Sequence, residues 1–252
     1  MSIYAISDLH LSFAKDKPMD IFGDNWKNHP QKIKENWSKT IKENDVVLVP
    51  GDISWAKNMQ EFEPDINFIH NLTGKKIFLS GNHDYWWGST SALNDLYSDM
   101  TFMKNNFIPF KDRGFALCGT RGWLCPNDTY YTDHDEKIYK REVGRLKLSL
   151  DLAQKSGFDR FIVMLHYPPT NDKKENSLFI DTLREFNVET VIYGHLHGEN
   201  SFYSSFQGDV DGINFILVSA DFLDFIPIKI FDWFLLNILH DYSMKKYDYL
   251  VF

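Results

Sequence analysis

The chain has 252 residues, which suffices for one large α/β domain or two small ones with a substantial core. Its hydrophobic fraction of 43% and its charged fraction of 25% are ordinary for a globular protein. The formal net charge of −8 argues against a broad nucleic-acid-binding surface, although bound metal ions could still attract a phosphate substrate.

Short apolar runs recur along the chain, and their length and β-branched content predict buried strands. These runs cover residues 3–6, 46–49, 77–79, 115–117, 161–165, 191–193 and 215–218. Helices are predicted over residues 32–42, 136–155 and 177–185, where apolar residues recur at helical spacing or proline precedes the first turn. The alternation of strands and helices predicts an α/β fold. Strand-like pieces between Phe102 and Cys118, with little helix between them, predict a mixed sheet.

Two segments stand apart from this alternation. Residues 119–135 form a long loop rich in aromatic and charged side chains, and such loops are often functional. The end of the chain alternates like a strand up to residue 230 and then carries apolar residues at helical spacing. We therefore predict one domain over residues 1–230 and an amphipathic tail over residues 231–252. The tail either docks on its own domain or forms an interface with a second copy or a membrane surface.

Cysteine usage and the absence of long apolar runs set the expected compartment. Cys118 and Cys125 are too few for a disulfide scaffold and are typical of free thiols in a reducing compartment. A metal pair is the less favoured alternative, since the CxxC partners that such a site needs are missing. No signal-peptide pattern is visible and no apolar run approaches ~20 residues, so we expect no transmembrane segment and a cytoplasmic location.

Polar residues follow five of the predicted strands, at the point where each strand ends. In an α/β sheet, the residues just past the carboxyl ends of strands meet at one crevice. Carboxylate, imidazole and amide groups are ligands of divalent metals, and seven of them suit two ions with a shared carboxylate. Two such ions clamp the attacking and leaving oxygens in phosphoryl transfer. The predicted metal ligands are Asp8, His10, Asp52, Asn82, His166, His195 and His197.

The same residues carry a resemblance to a known family. The ordered blocks are Asp8-x-His10, Gly51-Asp52, Gly81-Asn82-His83-Asp84, His166 and Gly194-His195-x-His197. This set resembles the signature of the calcineurin-like metallophosphoesterase superfamily, and longer strings around it resemble a group of bacterial predicted phosphohydrolases. The resemblance implies a four-layer α/β/β/α sandwich of two mixed sheets flanked by helices.

The resemblance also implies a role for each residue. Asp8, His10, Asp52 and His197 would hold one ion. Asp52, Asn82, His166 and His195 would hold the other, with Asp52 as the bridge. His83 would donate a proton to the leaving oxygen and Asp84 would orient it, which is chemically reasonable for an imidazole held by a carboxylate.

Residues near these blocks bear on the substrate. Protein serine/threonine phosphatases of the superfamily carry phosphate-binding arginines where this chain has Ile53-Ser54-Trp55-Ala56 and Ser80, which argues against a protein substrate. Arg121, between two glycines of the long loop, is either a catalytic phosphate-binding group or a surface arginine. Several loop aromatics could stack on a nucleobase or serve only in packing: Tyr85, Trp86, Trp87, Trp123, Tyr130, Tyr131 and Tyr167.

Together these patterns predict a metal-dependent phosphohydrolase. It would cleave a phosphomonoester or phosphodiester with a water activated by two divalent ions of the Mn, Fe or Zn type, since imidazole-rich sites suit these metals. The predicted partner is a small phosphorylated substrate, with a nucleotide among the candidates, and the tail could support an oligomer. The rival hypothesis is a catalytically silent metal-binding scaffold of the same fold, which the retained His83 argues against.

Overall fold

A computed structural model of the chain describes residues 1–231. Apart from short 3₁₀ turns, the elements in chain order are β1 (Ile3–Ala5), α1 (His29–Thr40), β2 (Val46–Pro50), α2 (Met59–His70), β3 (Lys75–Leu79), α3 (Thr90–Asn94), β4 (Met100–Phe102), β5 (Ile108–Phe110), β6 (Phe115–Thr120), α4 (Asp133–Lys155), β7 (Phe161–Leu165), α5 (Leu178–Glu185), β8 (Thr190–Tyr193), β9 (Gly208–Val210), β10 (Ile213–Leu217) and β11 (Ile228–Phe231).

The strands form two mixed sheets. The first has the order β11-β1-β2-β3-β4, and the second has the order β5-β6-β7-β8-β10-β9. Within the first sheet only β11 runs antiparallel to its neighbour, and in the second β5 and β9 do so. The parallel central strands therefore place the carboxyl ends of β1, β2 and β3, and likewise of β6, β7 and β8, at one edge of each sheet.

Alternating side chains of the strands divide the interior into layers. Along β2, Val47 and Val49 face the cluster that includes α1 and α2, whereas Val46 and Leu48 face the second sheet. On the far side, α4 and α5 cover the outer face of the second sheet. The molecule is thus a helix–sheet–sheet–helix sandwich, which confirms the predicted fold class.

The predicted elements differ from the observed ones mainly at helices. The first two predicted helices begin three residues earlier than expected, because Pro30 lies within the first turn of α1 and Thr132 caps α4 through a capping box with Asp135. Ser177 is the N-cap of α5 and not its first residue, since its hydroxyl accepts the amide N–H of Ile180. The helices α2 and α3 were not predicted.

The last described residues form an edge strand of the first sheet. The alternating residues near 228 form β11, which pairs antiparallel with β1 at the edge of the first sheet. Of the tail predicted over residues 231–252, Phe231 is the last residue of β11, and the rest lies outside the described residues. Among the helices within residues 1–231, none combines the length and the apolar character needed to cross a membrane.

Candidate metal centre

The predicted ligands come together where the two sheets meet at their carboxyl edges. Asp8, His10 and His197 offer ligand atoms that lie within 4.8 Å of one another. Asp52, His166 and His195 form a second group that meets the same limit. These two groups correspond to the two ion sites expected from the sequence, and each combines residues that follow strands of different sheets.

In the first group the ring nitrogens face one another and a carboxylate. The Nε2 atoms of His10 and His197 are 3.2 Å apart, and Asp8 Oδ1 is 3.4 Å from His197 Nε2. On the far side of its ring, His197 Nδ1 donates to Asp221 Oδ1 at 3.0 Å. This hydrogen bond fixes the ring so that Nε2 faces the cluster.

In the second group, His166 is held in the same way. Its Nδ1 donates to the Pro50 carbonyl at 3.0 Å, which leaves the Nε2 lone pair free. That lone pair faces the Asn82 Oδ1 atom at 2.8 Å and Asp52 Oδ1 at 3.5 Å. Three electron-pair donors therefore face a common point, an arrangement that a cation would stabilise.

Asp52 reaches both groups. Its Oδ2 atom lies 3.7 Å from His10 Nε2, while Oδ1 faces His166 and accepts the amide N–H of His83 at 2.8 Å. The carboxylate is buried and lies between the two clusters. This position is the one that a bridging ligand would need.

The backbone is strained at the ligands themselves. Asp8, His10, Asp52 and His195 all have positive φ, between 44° and 71°. A side chain other than glycine in this region costs about 1–3 kcal/mol and persists only where surrounding contacts enforce it. Four of the seven predicted ligands share this strain, which is typical of residues placed for function.

Glycines let the strand ends approach one another. A Cβ at Gly81 would overlap the Asp52 carboxylate, and a Cβ at Gly194 would overlap Ser7 Oγ and Asp8 Oδ2. Here glycine is required by close approach and not by its φ, since neither position has a positive φ. The Gly-Asn and Gly-His blocks thus allow the ligand loops to pack against the carboxylates.

Burial and neighbouring charges shift the pKa values of the carboxylates in opposite directions. Burial, together with the nearby Asp84 and Asp8 carboxylates, raises the pKa of Asp52 well above its usual range. Burial acts in the same direction on Asp8, but the hydrogen bond and charge of His197 and the charges of His166 and His10 hold its pKa well below its usual range.

The pKa values of the four histidines in the two groups also shift in opposite directions. Burial lowers the pKa of His166 to about 4 and lowers the pKa of His10 and His195 well below the usual value. Burial also disfavours the charged form of His197, yet the hydrogen bonds to Asp221 and Asp8 raise its pKa to about 10. Neutral imidazoles are the form in which histidine binds a metal.

The residues present fit two divalent ions. The donor set is rich in imidazole nitrogen and completed by carboxylate and amide oxygens, which is the set that transition metals of the Mn, Fe and Zn type accept. The lone pairs of His166 Nε2 and Asn82 Oδ1 face each other, and the buried Asp52 carboxylate lies near two other carboxylates. Both arrangements are costly in free energy without a cation. A divalent ion in each group would remove both costs.

His83 lies at the edge of this cluster. Its Nε2 atom is 3.9 Å from Asp52 Oδ2, its side chain is 32% exposed, and its ring packs on Trp55 with a centroid distance of 4.1 Å. Burial, with the positive charge of Lys17 next in importance, lowers the pKa of His83 to about 4. The ring is therefore partly accessible from outside the cluster.

The expected orientation of His83 by Asp84 is wrong. Both Asp84 oxygens accept backbone N–H groups, from Gly81 on one oxygen and from Ile53 and Ser54 on the other, and the Trp86 indole also donates. His83 Nδ1 has no hydrogen-bond partner among the described residues. Asp84 therefore ties two ligand loops together, and burial raises its pKa to about 6 despite these bonds.

The aromatic residues singled out in the sequence do not all line the same cavity. Trp86 is buried against Phe62 with a centroid distance of 3.5 Å, so its role is packing. In contrast, a cavity of about 400 Å³ lies against the predicted metal ligands His195 and His197. Its aromatic lining residues are Trp123, Tyr130 and Tyr167. Polar lining residues include Asp128, Asp172 and Asn200.

Arg121 and the two cysteines lie outside the two groups of candidate ligands. Arg121 lies over the Trp123 ring at 4.7 Å and lines a different cavity, which contains none of the predicted metal ligands. Both cysteines are free and buried, and burial raises the pKa of each thiol to about 12. Among the described residues, neither cysteine belongs to either group of candidate metal ligands.

Three further residues of the site were not expected from the sequence. Asp221 fixes His197, Trp55 stacks on His10 at 4.8 Å, and the Lys17 ammonium lies 3.8 Å from the centroid of the Trp55 ring. Asp221 follows a predicted strand as the ligands do, and this position was the available signal. Nothing in the sequence around Lys17 marks it.

Comparisons with known proteins agree with this geometry. A family model described as calcineurin-like phosphoesterase matches residues 1–199. An uncharacterised protein of Methanocaldococcus jannaschii is 24% identical over 139 residues, which cover 53% of this chain and 72% of that protein.

Among solved structures, a protein of unknown function from Aquifex aeolicus superposes with a TM-score of 0.51 at 18% identity, covering 90% of this chain and 95% of the other. A phosphopantetheinyl hydrolase from Mycobacterium tuberculosis gives a TM-score of 0.49 at 15% identity, with 86% and 88% covered. The Aquifex structure shows that the two chains share a fold.

Proposed function

The chain belongs to the calcineurin-like phosphoesterase family, and from this premise we propose that it hydrolyses a small phosphomonoester or phosphodiester with two bound divalent metal ions. The first ion would be held by Asp8, His10, Asp52 and His197. The second would be held by Asp52, Asn82, His166 and His195. The single observation that supports this most strongly is the convergence of the two ligand groups on the shared Asp52 carboxylate.

The two ions would supply Lewis acidity toward the phosphoryl oxygens and would lower the pKa of an attacking water. Mn, Fe and Zn are the proposed metals because the ligand set is rich in imidazole. The chain itself supplies the orientation of the ligands. Asp221 and the Pro50 carbonyl fix the rings of His197 and His166, and the amide of His83 holds Asp52.

His83 is the proposed proton donor to the leaving oxygen. It is the imidazole at the rim of the cluster that neither ligand group uses, and its side chain is partly exposed. A phosphate dianion beside the ring would favour the protonated form, which opposes the effects that lower its pKa. Packing against Trp55 fixes the ring plane in place of the expected carboxylate.

The aromatic cavity beside His195 and His197 is the proposed place for the organic part of the substrate. Trp123 and Tyr167 offer ring faces, while Asp128, Asp172 and Asn200 offer hydrogen-bond acceptors. Among the residues that the structure describes, no lysine or arginine lines this cavity. We therefore infer an uncharged, hydrogen-bond-donating group, such as a nucleoside, in this position. Two buried thiols suit a reducing compartment, so the cytoplasm is the proposed location.

The test combines metal analysis with a substrate screen. Elemental analysis of the purified protein should find close to two transition-metal ions per chain. The loaded protein should then hydrolyse at least one member of a panel of mononucleotides, cyclic nucleotides, sugar phosphates and model diesters. Only trace metal, with none regained on adding Mn²⁺, would overturn the metal site. Two filled sites without hydrolysis of any ester would favour a silent metal-binding scaffold.

A further inference from the structure

A second cavity lies beside the metal centre without sharing its ligands. Its volume is about 270 Å³, and it lies where β3 and β6 end, against α4. Ser80 and Gly81 line it from the loop that carries Asn82 and His83. None of the seven predicted metal ligands lines it. The cavity is therefore a neighbour of the metal centre and not a part of it.

Cationic side chains dominate the charge of this cavity. Its lining contains four of them, Lys104, Arg121, Arg141 and Arg145, against the two carboxylates of Asp84 and Glu142. Backbone amides and the Trp86 indole already occupy the oxygens of Asp84. Within residues 1–231, neither Lys104 nor Arg121 forms an ion pair. The cavity thus carries positive charge that its own carboxylates do not balance.

A buried carboxylate holds two of the cations in place. Glu142 is fully buried, and its Oε1 atom accepts from Arg145 Nη1 at 2.6 Å and from Arg141 Nη2 at 3.3 Å. Its Oε2 atom accepts from the Thr120 hydroxyl at 2.6 Å. A guanidinium group has five N–H donors, so each arginine keeps donors that this pairing does not use. Glu142 therefore orders the arginines without saturating them.

We propose that this cavity is an anion-binding site for a phosphate-class oxyanion, separate from the metal centre. The fixed guanidinium groups match the oxygen geometry of such an anion, and Lys104 adds a point charge. Two sources share this chemistry: a second phosphoryl group on the substrate, and a free inorganic anion. The site goes beyond the proposed hydrolysis, because it would bind phosphate whether or not the protein turns over an ester.

The first experiment measures binding of inorganic phosphate by titration calorimetry to the purified full-length protein. Lys104→Gln and Arg121→Gln each remove a charge of the cavity lining that has no ion-pair partner among residues 1–231. Both variants should fold, which melting curves would check. Each should weaken one class of phosphate sites by on the order of tenfold. Lys155→Gln, an exposed charge on α4 outside the cavity, is the matched control and should leave binding unchanged.

Unchanged phosphate binding in both Lys104→Gln and Arg121→Gln would overturn the proposal. A second arm separates the two sources by comparing a monophosphate ester with an ester that carries a second phosphoryl group. A KM that rises in Lys104→Gln only for the second ester assigns the site to the substrate. Alternatively, free phosphate changes the rate on the monophosphate ester in the unmutated protein but not in Lys104→Gln. This result assigns the site to a separate inorganic anion. If no ester is hydrolysed, the proposed function fails, and the calorimetry still decides on the anion site.

Discussion

Asp52 shows at the residue scale how one side chain can serve two binding sites. Its two oxygens face ring nitrogens of different ligand groups, at 3.7 Å from His10 and 3.5 Å from His166. The backbone at Asp52 has a φ of 50°, so the chain accepts local strain to hold the carboxylate between the groups. The contribution of this residue to metal binding should therefore be shared between both ions.

A substitution at Asp52 tests this sharing. Asp52→Asn removes one negative charge from both sites, so calorimetric titration with Mn²⁺ should show both binding steps weakened together. His10→Ala removes a ligand of the first group alone and should spare the step assigned to Asn82, His166 and His195. Normal binding of two ions by Asp52→Asn would contradict the bridging assignment.

His83 allows a test of chemistry that is separate from metal binding. His83→Ala should retain both ions, because neither ligand group uses this ring. Loss of a general acid typically costs ~10²–10⁴-fold in rate, and the loss should be large for an alkyl phosphate, whose leaving group needs a proton. It should be much smaller for p-nitrophenyl phosphate, whose leaving group is stable as an anion.

The readout for His83 is the ratio of kcat values on these two substrates at measured metal content. Misfolding or metal loss would lower both rates by the same factor. Equal losses at unchanged metal content would remove His83 from the acid role and leave it as a hydrogen-bond donor that positions the phosphate.

At the scale of elements, strand ends were predictable because two independent patterns agree there. Buried apolar runs predict the strands, and the metal-ligand residue types directly after them predict where each strand ends. The helix α2 was harder to predict because Pro64 lies inside it and argues against a helix, although Phe62, Ile66 and Ile69 have helical spacing. The N-cap Asn58 alone does not offset the effect of Pro64. Packing of the apolar face against the core therefore stabilises this helix.

Contacts between loops were not predictable from adjacency in sequence. Asp84 follows His83 directly, yet its carboxylate turns to the amides of the Ile53 loop. Asp221 lies 24 positions from His197 and fixes its ring. Both outcomes depend on which loops the sheets bring together, and a single sequence carries no record of that packing.

Glycine at a strand end should be indispensable where close approach requires it. Gly194→Ala places a methyl group against Ser7 and Asp8, so the β8 end must shift away from the first ligand group. We expect weakened Mn²⁺ binding by calorimetry and a lower melting temperature. Gly144→Ala is the matched control, since a Cβ there meets nothing within 4 Å in the middle of α4.

The control substitution should stabilise the protein by roughly 0.5–1 kcal/mol, because alanine is the better helix former, and should leave metal binding unchanged. The contrast separates a local steric effect from a general intolerance of alanine at glycine positions. A Gly194→Ala protein with unchanged Mn²⁺ affinity would show that the loop relaxes without cost to the site.

On the scale of the whole molecule, the candidate metal centre lies where the two sheets meet. Asp8, His10 and Asp52 follow strands of the first sheet, whereas His166, His195 and His197 follow strands of the second. Each ligand group takes residues from both sheets. Bound ions would therefore link the two halves of the sandwich at this edge.

Metal removal should consequently lower the stability of the entire fold in one cooperative step. A ligand that binds only the folded state adds about 2.7 kcal/mol at one hundred times its Kd, and each kcal/mol shifts the melting temperature of a domain of this size by roughly 2–4 °C. Chelator-treated protein should therefore melt several degrees lower, and added Mn²⁺ should restore the midpoint in a concentration-dependent way. Asp52→Asn should show little of this rise, and Ca²⁺ should give a smaller one because imidazole suits it poorly. A melting midpoint that Mn²⁺ leaves unchanged in the unmutated protein would mean that no ion links the sheets.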